Sequence, residues 1–161
     1  MMRKAFSMMT AIFVILLMAT LAGFIVNISS KAVSTTVFQY KKEQAVLYAK
    51  SYTELAILAA TANDSNVTNC AEDINAYVGG TQTEVRDGKG YEVQTRISYI
   101  GNGLACSDTR ILTPGNTITT EDALHIIVDV YVRYRDPSVV AAGTATGSPW
   151  VTFHRRTLQK L

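Results

Sequence analysis

Few side chains in this sequence combine the type and spacing that chemistry needs. Its two cysteines, Cys70 and Cys106, have no accompanying His, Asp or Glu ligand pattern, so a metal centre built on them would be incomplete. In an oxidising compartment they would pair as one disulfide; the alternative is two buried free thiols. A bridge closing a loop of roughly 37 residues is worth about 4 kcal/mol by loop entropy, a large share of a small domain's stability. The two histidines, His125 and His154, fall in neither a His-x-Glu nor a His-Glu-x-x-His arrangement and suit surface or pairing roles. There is no Gly-x-Ser-x-Gly elbow, phosphate-binding glycine loop or cysteine–histidine pairing context. The expectation is a non-enzymatic chain that carries no cofactor and no metal.

Two further clusters deserve weighing. Arg133, Arg135, Arg155 and Arg156 would gather if the last two strands are neighbours, though a solvated sheet face partly paired with Asp129 and Asp136 is the plainer reading. No aromatic row interleaves these arginines for base stacking, and nucleic acid is not an expected partner. Asp64-Ser65-Asn66-Val67-Thr68 fits the extended acceptor pattern of bacterial N-glycosylation, with Asn66 as a host-dependent acceptor in an exposed loop.

The elements that would position these groups begin with an uncharged run of 26 residues, Ala5 to Ser30, rich in Phe, Met, Ile, Leu, Val and Ala. A membrane-spanning helix needs roughly 20 such residues. Arg3 and Lys4 precede the run, so the positive-inside tendency keeps the N-terminus cytoplasmic and sends everything after Lys31 across the membrane. MMRKA is short for the basic region of a secretory signal and the apolar stretch is long for its core, which favours retention of the helix over ordinary signal cleavage. The chain holds 15 Lys plus Arg against 13 Asp plus Glu; without Arg3 and Lys4 its side chains balance to zero. This argues against bulk electrostatic attraction to nucleic acid as the main activity.

From Lys31 to Ala62 nothing stops a helix, and Val33, Val37, Tyr40, Leu47, Leu55, Leu58 and Ala62 recur at steps built from threes and fours. This stripe is expected to pack on the rest of the domain. A helix from Phe6 to Ala62 would be about 85 Å long at 1.5 Å per residue. Asn63-Asp64-Ser65 should end it, because such side chains compete for backbone hydrogen bonds. A short helix near Ala71–Tyr77, ended by Gly79-Gly80, is expected next, then a strand near Thr83–Arg86 that pairs across Asp87-Gly88-Lys89-Gly90. Strands follow where Tyr91, Val93, Thr95, Ile97 and Tyr99 alternate with polar residues, and where Leu124, Ile126, Val128, Val130, Val132 and Tyr134 share a face. A last strand covers Trp150 to Leu158. Gly101–Asn116 and Asp136–Pro149 are the connecting loops. The fold class is α+β, a long helix packed on a small antiparallel sheet.

MMRKA followed by FSMMTAIFVILLMATLAGFIVNISSK resembles the N-terminus of type IV pilins and type II secretion pseudopilins, over about 30 residues. The resemblance implies a pilin-like domain organisation: a leader at 1–5, a transmembrane and polymerisation helix at 6–30, and a periplasmic domain at 31–161, with its helix at 31–62 and its sheet at 81–161. It also implies cleavage by prepilin peptidase between Ala5 and Phe6, behind the basic residues Arg3 and Lys4, and methylation of the new N-terminal Phe6. Ala5 stands where the family usually has glycine. Thr10 stands where major pilins usually carry a glutamate that pairs with a neighbour's terminal ammonium, and a hydroxyl cannot neutralise that charge in a dry bundle. The implied role is a minor subunit of a secretion, pilus or competence filament. Its partners would be other subunits, the peptidase, the inner-membrane assembly platform and the lipid bilayer. The competing reading is a single-pass anchor presenting a periplasmic interaction domain that never polymerises.

Overall fold

The computed structural model describes residues 3–63, 70–101, 104, 106–107, 109–112, 124–136 and 149–161. Asn66, half of Gly101–Asn116 and most of Asp136–Pro149 lie outside the described residues. A single helix α1 (Arg3–Ala62) is followed by β1 (Asp73–Val78), a short helix α2 (Gln82–Arg86), β2 (Tyr91–Ile100), β3 (His125–Arg135) and β4 (Trp150–Lys160). The chain forms two compact units that meet inside α1, residues 1–39 and 40–161.

In the larger unit the strands make one antiparallel sheet in the order β1-β2-β3-β4. Alternation decides its two faces, as a period of two requires. Tyr91, Val93, Thr95, Ile97 and Tyr99 of β2 and Ile126, Val128, Val130, Val132 and Tyr134 of β3 are all buried, and all of these but Thr95 form one hydrophobic core with the end of α1. The opposite face carries Glu92, Gln94 and Arg96 beside Arg133, Tyr131 and Asp129, and then Thr152, His154 and Arg156.

The expected α+β architecture holds, but the helix packs through a different stripe. Its buried positions are Ala45, Ala49, Thr53, Ala56 and Ala60, flanked by partly buried Tyr48, Tyr52 and Ile57. Val33, Val37, Tyr40, Leu47, Leu55 and Leu58 are exposed. At roughly 100° per residue the two sets fall on nearly opposite sides of the helix. The physical reason is complementarity of volume: Tyr91, Tyr99, Tyr134, Ile97 and Ile126 supply bulk from the sheet, so the helix must supply room. The Thr53 hydroxyl in this seam donates to the Ala49 carbonyl (2.7 Å), which lets it sit buried.

Two local expectations also fail. Residues 73–78 form a strand rather than a helix: β1 pairs along β2 from Asp73 opposite Arg96 to Val78 opposite Tyr91, so the sheet begins at Asp73 and not after Gly80. Residues 82–86 form a helix rather than a strand. Thr81 caps it: its hydroxyl accepts from the Glu84 amide while the Glu84 carboxylate accepts from the Thr81 amide (2.8 Å). Gly90 closes the turn at φ +90°, where a Cβ would collide with the Val78 carbonyl oxygen.

Candidate functional site

The first candidate is the N-terminal part of α1. It is long and apolar enough to cross a membrane, and Met8, Ile12, Phe13, Leu16, Leu21, Phe24 and Ile28 are all exposed. Two polar side chains here are satisfied within the helix: the Thr20 hydroxyl donates to the Leu17 carbonyl (2.9 Å) and the Asn27 amide to the Gly23 carbonyl (3.0 Å). Such back-bonding lowers the cost of holding these groups in hydrocarbon. Ala5 and Phe6 lie within α1 near its start. Thr10 borders a shallow apolar depression with Met9, Ile12, Phe13 and Leu16, which lies along one helix and has no opposing wall.

The second candidate is a cleft of about 410 Å³ between α2 and the sheet face turned away from α1, lined by Tyr77, Gln82, Val85, Arg86, Glu92, Arg133, Arg135 and Trp150. The β3–β4 register sets Arg135 opposite Trp150, and its guanidinium carbon lies 4.1 Å from the indole centroid; that of Arg133 lies 5.0 Å away. Arg135 Nε donates to the Arg86 carbonyl (3.2 Å), tying α2 to the sheet. Glu92 approaches Arg133 at 3.7 Å, a loose ion pair.

Only half of the expected arginine cluster comes together. Arg156 instead makes two hydrogen bonds to Asp129 (2.8 and 3.0 Å), and His154 Nε2 sits 2.6 Å from the same carboxylate. Burial acts to raise the Asp129 pKa, but hydrogen bonds from Arg156 and His154 and their charges outweigh it and hold the carboxyl below the usual range. The His154 ring stacks on Tyr131 (4.3 Å between centroids). Arg155 faces the other side, opposite Val130. Sequence reasoning missed Arg86, Gln82 and Tyr77, because their segments were assigned the wrong elements; the signal within reach was the Thr81/Glu84 capping box.

Cys70 and Cys106 are disulfide-bonded, with Cα atoms 4.9 Å apart. The clamp is reinforced on both sides. The Ser107 amide donates to Glu72 (2.9 Å), and Arg110 contacts both oxygens of Asp73 (2.7 Å each). Tyr99 then bonds the 110–112 segment, donating to the Arg110 carbonyl and accepting from the Leu112 amide. Among the described residues no group of three or more His, Cys, Asp or Glu could hold a metal ion. No family model, curated protein or solved structure matches the chain.

Proposed function

We propose that this chain is a non-enzymatic pilin-type subunit, made as a prepilin, cut between Ala5 and Phe6 and assembled through its N-terminal helix. One observation carries the reading: a helix with exposed apolar side chains from Met8 to Ile28 continues into a segment whose alanines pack under an antiparallel sheet. In a bilayer the first segment is covered by lipid; during assembly lipid contacts are exchanged for helices of other subunits, with Ala11, Ala19, Ala22 and Gly23 permitting close approach. Arg3 and Lys4 hold the N-terminus on the cytoplasmic side, which puts the sheet domain in the periplasm. Thr10 points to a minor subunit, because it offers no carboxylate to a neighbour's ammonium.

A single-pass anchor that never polymerises is the second reading, favoured by the basic cleft, which gives the domain a concave surface of its own. Processing separates the two. N-terminal sequencing of the protein purified from its host is expected to begin at Phe6, methylated on its amine. Finding Met1 intact in cells whose prepilin peptidase is active rules the pilin reading out.

A further inference from the structure

The sheet has two edges, and β4 is the longer, with 11 residues against 6 in β1. Backbone bonds beyond both of its ends fix which groups point where. The Asp136 amide donates to the Pro149 carbonyl (3.2 Å) and the Leu161 amide to the Leu124 carbonyl (2.8 Å), so Pro149 and Leu161 are hydrogen-bonded positions. Hydrogen-bonded and non-hydrogen-bonded pairs alternate along an antiparallel ladder, and the β3–β4 register runs unbroken from Trp150 to Lys160. The odd-numbered residues of β4 therefore turn their N–H and C=O groups to β3. Trp150, Thr152, His154, Arg156, Leu158 and Lys160 turn theirs away from the sheet, and among the described residues no strand pairs with them.

Such an edge templates pairing with another strand unless something blunts it. β4 contains no proline, no glycine and no bulge. What it does contain is charge: Arg155, Arg156 and Lys160, with no Asp or Glu in the strand. Asp129 offsets Arg156 through two hydrogen bonds. Arg155 spends one N–H on the neutral Thr157 hydroxyl (3.4 Å), and neither it nor Lys160 has an ion pair among the described residues. Their two positive charges stay with the edge strand.

That charge selects the guest. Two copies of β4 paired about their middle would set Arg155 against Arg155 or Arg156 against Arg156, and like charges directly opposite are destabilising. A strand that carries carboxylates meets attraction instead. On the outer face its acidic side chains would lie beside the exposed Arg156 and Lys160. On the other face Val151 and Phe153, partly buried against the core, offer apolar surface to its alternate residues.

We infer that β4 is a docking edge for an extended acidic segment of another protein, which adds to the sheet as a further strand. Main-chain hydrogen bonds supply the affinity and alternate side chains the selectivity. The inference is independent of the filament reading and stands whether or not the chain polymerises.

The full chain in non-ionic detergent would be titrated into a fluorescein-labelled peptide of alternating Val and Glu, matched in length to β4, with anisotropy as the readout. Two reference peptides accompany it: alternating Val and Lys, and the Val–Glu peptide N-methylated at every residue, which keeps its charge but cannot donate to a ladder. Saturable binding of the unmethylated Val–Glu peptide alone is expected. Hydrogen exchange should then slow at the amides of Thr152, His154, Arg156, Leu158 and Lys160 and stay unchanged at the residues between them, which already face β3. Arg155→Gln combined with Lys160→Gln should raise the half-saturation concentration several-fold. Leu158→Pro, which removes one outward N–H at an exposed position, should raise it by about tenfold. Failure of the Val–Glu peptide to saturate overturns the inference, as does equal binding of either reference peptide or protection that does not alternate. The peptide comparison and the exchange pattern carry the test if Leu158→Pro fails to fold by circular dichroism.

Discussion

Asp129 is the residue on which most of the outer face converges. It is nearly buried, at 9% exposure, and is reached from β4 by both Arg156 and His154. Its pKa is depressed in the folded state, so the stabilisation is present above the unfolded-state value, about 3.9, and is lost as pH falls through the lower folded value. Glu72, with its carboxyl lowered first by hydrogen bonds to Ser107, adds the same sign. Chemical denaturation followed between pH 7 and pH 2 should therefore show stability falling below about pH 4, with a shallower fall in Asp129→Asn. That variant should lose about 1–2 kcal/mol at pH 7, the scale of charge-assisted hydrogen bonds whose donors remain solvated. The sequence reading anticipated an arginine paired with Asp129, which Arg156 supplies, but not that His154 joins them. His154 and Arg156 are two apart on β4, and only the antiparallel register, which puts Arg156 opposite Asp129 and His154 opposite Tyr131, shows that both flank one carboxylate.

At the scale of elements, strands were legible wherever one face was buried and the other wet. Val93, Thr95 and Ile97 alternate with Gln94 and Arg96, and Val128, Val130 and Val132 mark β3 in the same way. The packing face of α1 was not legible, for a reason of volume. Hydrophobic periodicity weights Leu and Val above Ala, but a helix laid on a sheet rich in tyrosine must present its smallest residues. Ala45, Ala49 and Ala56 looked like good helix formers and are in fact the core contact. Ala49→Leu should overpack that seam and destabilise the domain by about 2–3 kcal/mol, whereas Leu47→Ala, two residues away and exposed, should change stability by less than about 0.5 kcal/mol. Urea melts of the two variants check the contrast; equal effects would restore the leucine stripe as the packing face. β1 was hidden for another reason: Asp73-Ile74-Asn75-Ala76 has little β-branched character, and its pairing with β2 outweighs that weak local preference.

For the molecule as a whole, the disulfide and the apolar helix give linked information about compartment. Cys70 and Cys106 are bonded beside the Glu72–Ser107 and Asp73–Arg110 contacts, so the bridge closes a segment that is already held in place. Thiol–disulfide chemistry favours this bond outside the cytosol. In intact host cells, both cysteines should resist a thiol-alkylating reagent until a reductant is added; labelling without reduction would put the domain on the reducing side and reverse the proposed topology. The apolar segment was legible as one long helix, because its 26 uncharged residues contain no proline. The cleft was the least legible, because it depends on α2 and on one register of β4, and neither can be read from composition.

The inverted packing of α1 has a genetic consequence. Because the domain is held together by alanines, the leucines and valines on the other side of the same helix are under no obligation to folding. Replacements at Val37, Leu47, Leu55 and Leu58 can therefore accumulate without loss of the folded domain. Selection there answers only to whatever those side chains meet outside their own domain. A library randomised along this one helix should split into two classes of allele, one that removes the protein and one that leaves it abundant but idle, at alternate faces of a single element.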